Sequence, residues 1–127
     1  MRPDEEICGS YLHRYYLVPK NRLFNLYLHR FQEPDPGGDL HDHPWWSLTV
    51  VLRGHYFEMS SDGGEARLQR IGGLTRFLKL RRPTTRHTIT SVSPGGCWTL
   101  FLTGPKVREW GFHTASGWVH NAAYDHR

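Results

Sequence analysis

The stretch GDLHDHP, residues 38–44, runs directly into an apolar segment, WWSLTVVL, residues 45–52. His41 and His43 are separated by one residue, so on an extended backbone their side chains share a face and Asp42 points to the other. Two adjacent imidazoles at the end of a strand are a natural pair of ligands for a transition metal. The apolar segment is rich in β-branched residues and ends at a glycine. It predicts a strand that holds the histidines in place.

The rest of the chain predicts short strands separated by turns rich in glycine and proline. No long stretch has helical periodicity. Strand 23–31 is largely apolar on both sides, with Leu26 and Leu28 on one face and Tyr27 and His29 on the other. Strands of this length and spacing are typical of an all-β sandwich or barrel. The predicted strands are 23–31, 46–52, 55–59, 66–71, 74–80, 88–92, 97–103, 107–113 and 117–120.

The length of 127 residues fits one compact domain with a core of its own. We predict a single domain over the whole chain, with an N-terminal segment (1–20), a barrel (22–120) and a tail (121–127). Pro3 followed by three acidic residues is typical of the first turn of a helix. Residues 11–18 predict an extended or edge segment.

The two cysteines, Cys8 and Cys97, lack the spacing of a metal site or a disulfide framework, which predicts reduced thiols in a cytoplasmic protein. No segment resembles a signal peptide or a membrane span, so no membrane association is expected. The formal net charge is +4, and much of the excess lies between residues 67 and 86. Such a cluster is either a solvated sheet face or an attractive field for an anionic ligand. No nucleic-acid-binding motif accompanies it, so a nucleic-acid partner is not expected.

Together these features resemble the cupin superfamily of small jelly-roll barrels. The first cupin motif has a His-x-His pair, then a glutamate and then a glycine. Here the sequence HDH provides the pair, Ser47 stands at the position of the glutamate, and Gly54 is the glycine. The second motif, a proline-containing loop followed by a histidine, is similar to residues 83–87. The resemblance covers residues 22–104 in strand order.

By this resemblance, His41, His43 and His87 occupy the positions of three cupin metal ligands. The implied cofactor is one divalent transition metal, with Fe2+ favoured and Ni2+, Mn2+, Zn2+ or Cu2+ as alternatives. Three neutral imidazoles leave the metal more positive than a set that includes a carboxylate, which favours an anionic ligand. Glu58 is an alternative source of a carboxylate.

The implied function is a metal-dependent small-molecule enzyme. A non-haem iron(II) oxygenase is favoured. Cupin thiol dioxygenases also use three histidines, so the missing glutamate weakens the metal identity more than it weakens metal binding. One alternative is a metal-dependent isomerase, epimerase or lyase, which would need a base in the pocket, and another is a non-catalytic cupin that binds a small ligand or a partner protein. Tyr56 and Glu58 are the candidate catalytic residues, with His29 as a further candidate base.

The substrate is expected to be a small anionic molecule. Arg82 and Arg86 are predicted to bind its anionic end, because they lie on the loop that leads to the third histidine. Trp45 and Trp46 are predicted to line the pocket. Exposed strand edges need covering, so we also expect a homodimer formed through an edge strand or the N-terminal segment.

Overall fold

The computed structural model of the protein describes residues 5–7, 12–19, 21–33 and 39–123. These residues form strands, with one 3₁₀ turn at Asn121–Ala123. None of them belongs to a helix long and apolar enough to cross a membrane. The strands are β1 (Glu5–Ile7), β2 (Leu12–Tyr16), β3 (Asn25–Phe31), β4 (Leu40–His41), β5 (Ser47–Arg53), β6 (Tyr56–Ser61), β7 (Arg67–Ile71), β8 (Leu78–Arg81), β9 (Arg86–Val92), β10 (Cys97–Thr103), β11 (Gly111–Thr114) and β12 (Gly117–His120).

The strands form two antiparallel six-stranded sheets. The first has the order β1-β2-β3-β10-β5-β8, and the second has the order β12-β11-β4-β9-β6-β7. Many neighbours in these sheets are distant in the sequence, which is the connectivity of a jelly roll. The all-β jelly-roll prediction is confirmed, but the described strands of the two sheets do not close into a hydrogen-bonded barrel. The architecture is a sandwich.

The first sheet extends into the N-terminal segment. β1 pairs with β2, and β2 pairs with β3. The helix predicted after Pro3 is wrong over Glu5–Ile7, because this stretch is extended and pairs with residues 12–14; residues 3 and 4 lie outside the described residues. β2 is not an edge strand, because β1 covers its outer side.

Two turns determine where strands end. Gly54 has φ +81°, and a Cβ there would lie 2.7 Å from the Gly96 carbonyl oxygen, so only glycine fits between β5 and β6. A second turn is closed by the Gly72 N–H, which donates to the Arg76 carbonyl at 2.7 Å. β8 therefore begins at Leu78, later than the predicted start at residue 74.

The first sheet turns a polar face toward the interior. Asn25, Tyr27 and His29 of β3 are buried, whereas Leu26 and Leu28 between them are partly exposed. Buried amides, hydroxyls and imidazoles need partners, so this part of the interior is not a hydrocarbon core. The other buried polar residues of this sheet are Ser47, Thr49, Arg81, Thr99 and Thr103.

The hydrophobic core occupies one end of the sandwich. Phe31 and Val92 pack at its periphery, and Cys97 lies fully buried within it. Burial raises the pKa of the Cys97 thiol to about 12, so the thiol stays neutral. The other end of the sandwich contains the histidines and a cavity. The buried core residues are Val51, Tyr56, Ile71, Ile89 and Cys97.

Candidate metal centre and cavity

Three histidines meet between β4, β9 and the residues that follow β4. His41 is paired in register with His87, and His43 is buried two positions after His41. The ring centroids lie 4.6 Å apart for His41 and His87, 4.8 Å for His43 and His87, and 5.2 Å for His41 and His43. One possible ligand atom from each ring lies within 4.8 Å of the other two. The structure thus brings together the three histidines that the sequence motifs single out.

Glu58 determines the orientation of the His87 ring. Because a carboxylate only accepts, the Nδ1–H of His87 donates to Glu58 Oε2 at 2.6 Å, which leaves the lone pair on Nε2. This Nε2 lies 3.2 Å from the Nε2 of His43. Burial, then the neighbouring His87 and His41, lower the pKa of His43 well below its usual value. Imidazole nitrogens that converge in this way suit a divalent transition metal, so the residues present fit such an ion.

The same Glu58 oxygen, Oε2, also takes part in a buried ion pair. Arg81 Nη2 donates to Glu58 Oε2 at 2.8 Å and to the Tyr56 hydroxyl at 2.9 Å, and Nη1 donates to Thr49 Oγ1 at 2.9 Å. Burial alone would raise the pKa of Glu58, but the Arg81 guanidinium and then His87 hold it well below its usual range. Burial raises the pKa of Tyr56 to about 12. At neutral pH Glu58 is therefore ionised and ion-paired, and Tyr56 keeps its proton.

A cavity of about 670 Å³ opens onto the histidines. The basic residues that line it are Arg14, Arg22, Arg81 and Lys106, and no aspartate or glutamate of the described residues does so. Of these four residues, only Arg81 belongs to the basic stretch 67–86 that the sequence analysis singles out. Rings of Tyr27, Trp45, Phe101 and Trp110 form much of the remaining wall. The cavity is thus aromatic in its walls and positive in its charged groups.

Comparison with protein-family profiles and with curated proteins finds no match, whereas solved structures do match. A candidate mannose-6-phosphate isomerase from Ralstonia eutropha JMP134 is 14% identical with a TM-score of 0.60, over 80% of this chain and 92% of that chain. DMSP lyase DddQ from Ruegeria pomeroyi DSS-3 is 15% identical with a TM-score of 0.62, over 91% and 54%. The Fe(II) form of HppE is 16% identical with a TM-score of 0.60, over 81% and 55%.

The chain has the cupin fold. At these identities the likeness concerns the fold alone, and the chain spans about half the length of the DddQ and HppE chains that it matches. The jelly-roll cupin architecture implied by the two sequence motifs is thereby confirmed.

In this chain, Ser47 stands where the cupin motif has a glutamate. Ser47 is fully buried, and its hydroxyl has no hydrogen-bond partner among the described residues. Glu58 is not a replacement ligand, because its carboxylate is bound to the Nδ1 side of His87 and not beside Nε2. Among the described residues, the group that could hold a metal ion therefore consists of histidines only.

Asp42 points away from the two ligands that flank it, as predicted. Its carboxylate accepts hydrogen bonds from the Gly111 N–H (2.8 Å), His113 Nε2 (2.8 Å) and Trp118 Nε1 (3.0 Å), and pairs with Arg108 Nη1 at 3.0 Å. Burial would raise the pKa of Asp42, but the Gly111 N–H and the side-chain donors lower it below its usual value. This cluster ties the β11–β12 hairpin to the backbone between two metal ligands.

The two predicted pocket tryptophans have different positions. Trp45 lies in the cavity wall, where its ring stacks on His43 with centroids 5.3 Å apart. Trp46 is 40% exposed and its ring lies against Gly104 instead. Both tryptophans precede β5, which begins at Ser47.

The two predicted substrate arginines do not line the cavity. Arg82 is exposed and Arg86 is half-buried, and the arginine that reaches the interior is Arg81. Arg81 pairs in register with Ser47, so both side chains point to the interior face of the first sheet. The sequence does not reveal this pairing between strands, so it could not identify Arg81 as the arginine that points inward.

Proposed function

We propose that this protein is a metal-dependent enzyme of the cupin type that acts on a small anionic molecule, and more specifically that it is a non-haem iron(II) oxygenase. One observation carries the proposal. A cluster of three imidazoles faces a cavity whose charged lining groups are all cationic among the described residues. The fold match to the Fe(II) form of HppE supports iron, with nickel, manganese, zinc and copper as alternatives.

The chain's own residues have separable roles in this proposal. His41, His43 and His87 would hold the ion. When bound, it would supply Lewis acidity and, if it is iron(II), the electrons that reduce dioxygen. Glu58 holds the proton on His87 Nδ1 and so keeps Nε2 available, and Arg81 keeps Glu58 ionised.

An anionic substrate follows from the charges around the cavity. A divalent ion on three neutral ligands keeps its full charge, and this charge is poorly screened inside a protein. Arg14, Arg22 and Lys106 add positive groups to the same cavity. A carboxylate or phosphate would therefore be attracted to this cavity and held in it.

A second candidate function is a metal-dependent isomerase, epimerase or lyase. The matched structures include a DMSP lyase and a candidate sugar-phosphate isomerase. Tyr56 and Glu58 are poor candidates for its base, because Tyr56 has a pKa of about 12 and Glu58 is ion-paired. Burial and then Arg14 lower the pKa of His29 well below the usual value, but His29 is no better as the base, because its Nε2 lone pair accepts from the Arg14 Nε–H. A non-catalytic cupin is less well supported, because the cavity reaches the three histidines.

A cytoplasmic location is part of the proposal, since Cys97 is a free thiol.

Metal analysis of protein purified without a histidine tag tests the first step. We expect one divalent ion per chain, lost in His41→Ala and His43→Ala and retained in the control His120→Ala, which alters a surface histidine paired with Glu109. Oxygen consumption by the iron-loaded protein with a panel of organic acids then separates the oxygenase from the isomerase or lyase. Protein that cannot be loaded with iron, nickel, manganese, zinc or copper would refute the proposal.

A further inference from the structure

Arg14 and His29 form a second polar site on the wall of the cavity. The Nε–H of Arg14 donates to His29 Nε2 at 2.9 Å. The Arg14 guanidinium also lies 4.3 Å above the Tyr27 ring, which stacks on His29 with centroids 5.5 Å apart. All three side chains line the cavity. The guanidinium and the imidazole are thus held in fixed positions by one another and by an aromatic platform.

The hydrogen bond from Arg14 also determines which nitrogen of His29 carries the proton. A guanidinium only donates, so His29 Nε2 is the acceptor and the proton lies on Nδ1. His29 is 2% exposed, and its Nδ1 has no hydrogen-bond partner among the described residues. A buried N–H without an acceptor is costly. An oxyanion in the cavity would remove that cost and would pair with Arg14 as well.

This pair is separated from the three-histidine cluster by aromatic rings. His29 stacks on Phe101 with centroids 4.9 Å apart, Phe101 contacts Trp45 at 5.5 Å, and Trp45 stacks on His43 at 5.3 Å. The Arg14–His29 pair and the three histidines therefore lie at opposite ends of this row of aromatic rings. A ligand that touches both ends needs an apolar or unsaturated segment between its polar groups.

We propose that Arg14 and His29 bind an oxyanion at the end of the substrate remote from the metal. The substrate is then an elongated organic acid with two polar ends: a metal-binding group and a terminal carboxylate or phosphate. This inference rests on the proposed function, because it takes the three histidines as the metal end of the same cavity. It replaces Arg82 and Arg86 as the anion-binding arginines.

Linear dicarboxylates from succinate to suberate, with their monoamides and matching phosphonocarboxylates, test this inference by calorimetry on zinc-loaded protein. We expect affinity to peak at one chain length and the monoamide of that acid to bind at least tenfold more weakly. A preference between the carboxylate and phosphonate arms identifies the oxyanion. Arg14→Gln should abolish the length preference, and His29→Phe should weaken binding while keeping the ring stack. Arg53→Gln, an exposed arginine outside the cavity, should change neither.

The outcomes separate the two proposals. Wild-type protein that binds no metal would refute the proposed function. Wild-type protein that binds metal, with Arg14→Gln still showing the same length preference and affinity, would overturn the Arg14–His29 site alone. If Arg14→Gln does not fold, Arg14→Lys serves instead, since it keeps the charge and removes the Nε–H. Unchanged binding in Arg14→Lys and in His29→Phe would also overturn it.

Discussion

Replacement of Asp42 by asparagine tests how the backbone between two metal ligands is held. The Asp42 side chain is 2% exposed, and its two oxygens accept from Gly111, His113 and Trp118 and pair with Arg108. An asparagine has one carbonyl oxygen, and its NH2 group would face donors that the second carboxylate oxygen now satisfies. Two charge-assisted hydrogen bonds are worth about 3–5 kcal/mol when lost from a buried carboxylate. Arg108 is 34% exposed, so its share is screened and the lower end of this range applies.

Urea unfolding of the metal-free protein measures this cost without a contribution from metal binding. We expect Asp42→Asn to lower the free energy of unfolding by about 3 kcal/mol. Trp118→Phe removes one donor and should cost about 1–2 kcal/mol. The control Glu65→Gln changes an exposed acid and should stay within about 0.5 kcal/mol of wild type. A loss below 1 kcal/mol in Asp42→Asn would show that the four contacts do not stabilise the hairpin as argued.

Three further predictions concern the interior. Glu58→Gln should weaken metal binding about 10–100-fold. It should also destabilise the protein by about 3–5 kcal/mol, because Arg81 is left as an unpaired buried charge. In denaturation experiments, the double variant with Arg81→Met should lose less stability than the sum of the losses in the two single variants. His29 stays neutral in the folded protein, so below the unfolded histidine pKa of about 6.5 only the unfolded chain binds a proton at this position. The free energy of unfolding should therefore fall with decreasing pH, by up to about 1.4 kcal/mol per pH unit. The difference between the pH slopes of wild type and His29→Gln measures this contribution, and equal slopes would contradict the prediction. Thr99→Val removes a buried hydroxyl without a partner among the described residues and should stabilise by about 1 kcal/mol, whereas Thr49→Val removes an acceptor of Arg81 and should destabilise by about 1–3 kcal/mol.

The first two histidines of the cluster could be predicted to lie together because their arrangement is local. The spacing of His41 and His43 places both on one side of an extended backbone, and this holds whatever sheet the strand joins. His87 was reached through the resemblance of its loop to a cupin motif. The structure confirms that the three rings meet, and pairing of His41 with His87 in register supplies the physical reason.

The residues around the ligands could not be predicted in the same way, because they depend on register between distant strands. The sequence does not distinguish among three nearby arginines, Arg81, Arg82 and Arg86. The pairing of Arg81 with Ser47 determines that Arg81 is the one that points inward. Arg14 reaches the cavity through the pairing of β2 with β3, and the sequence contains no signal for it.

The orientation of the first sheet explains why hydrophobic alternation was a weak guide here. Alternation identifies two faces of a strand, but the assumption that the more apolar face is interior fails where the interior is a cavity for polar chemistry. In β3 the leucines lie on the outer face and His29 lies on the inner face. The more apolar face of this strand is therefore the one turned away from the interior. The same inversion removes apolar residues from one half of the core and places them on the outer face. It therefore links the chemistry of the cavity to the exposure of aliphatic side chains on the outer face of the first sheet.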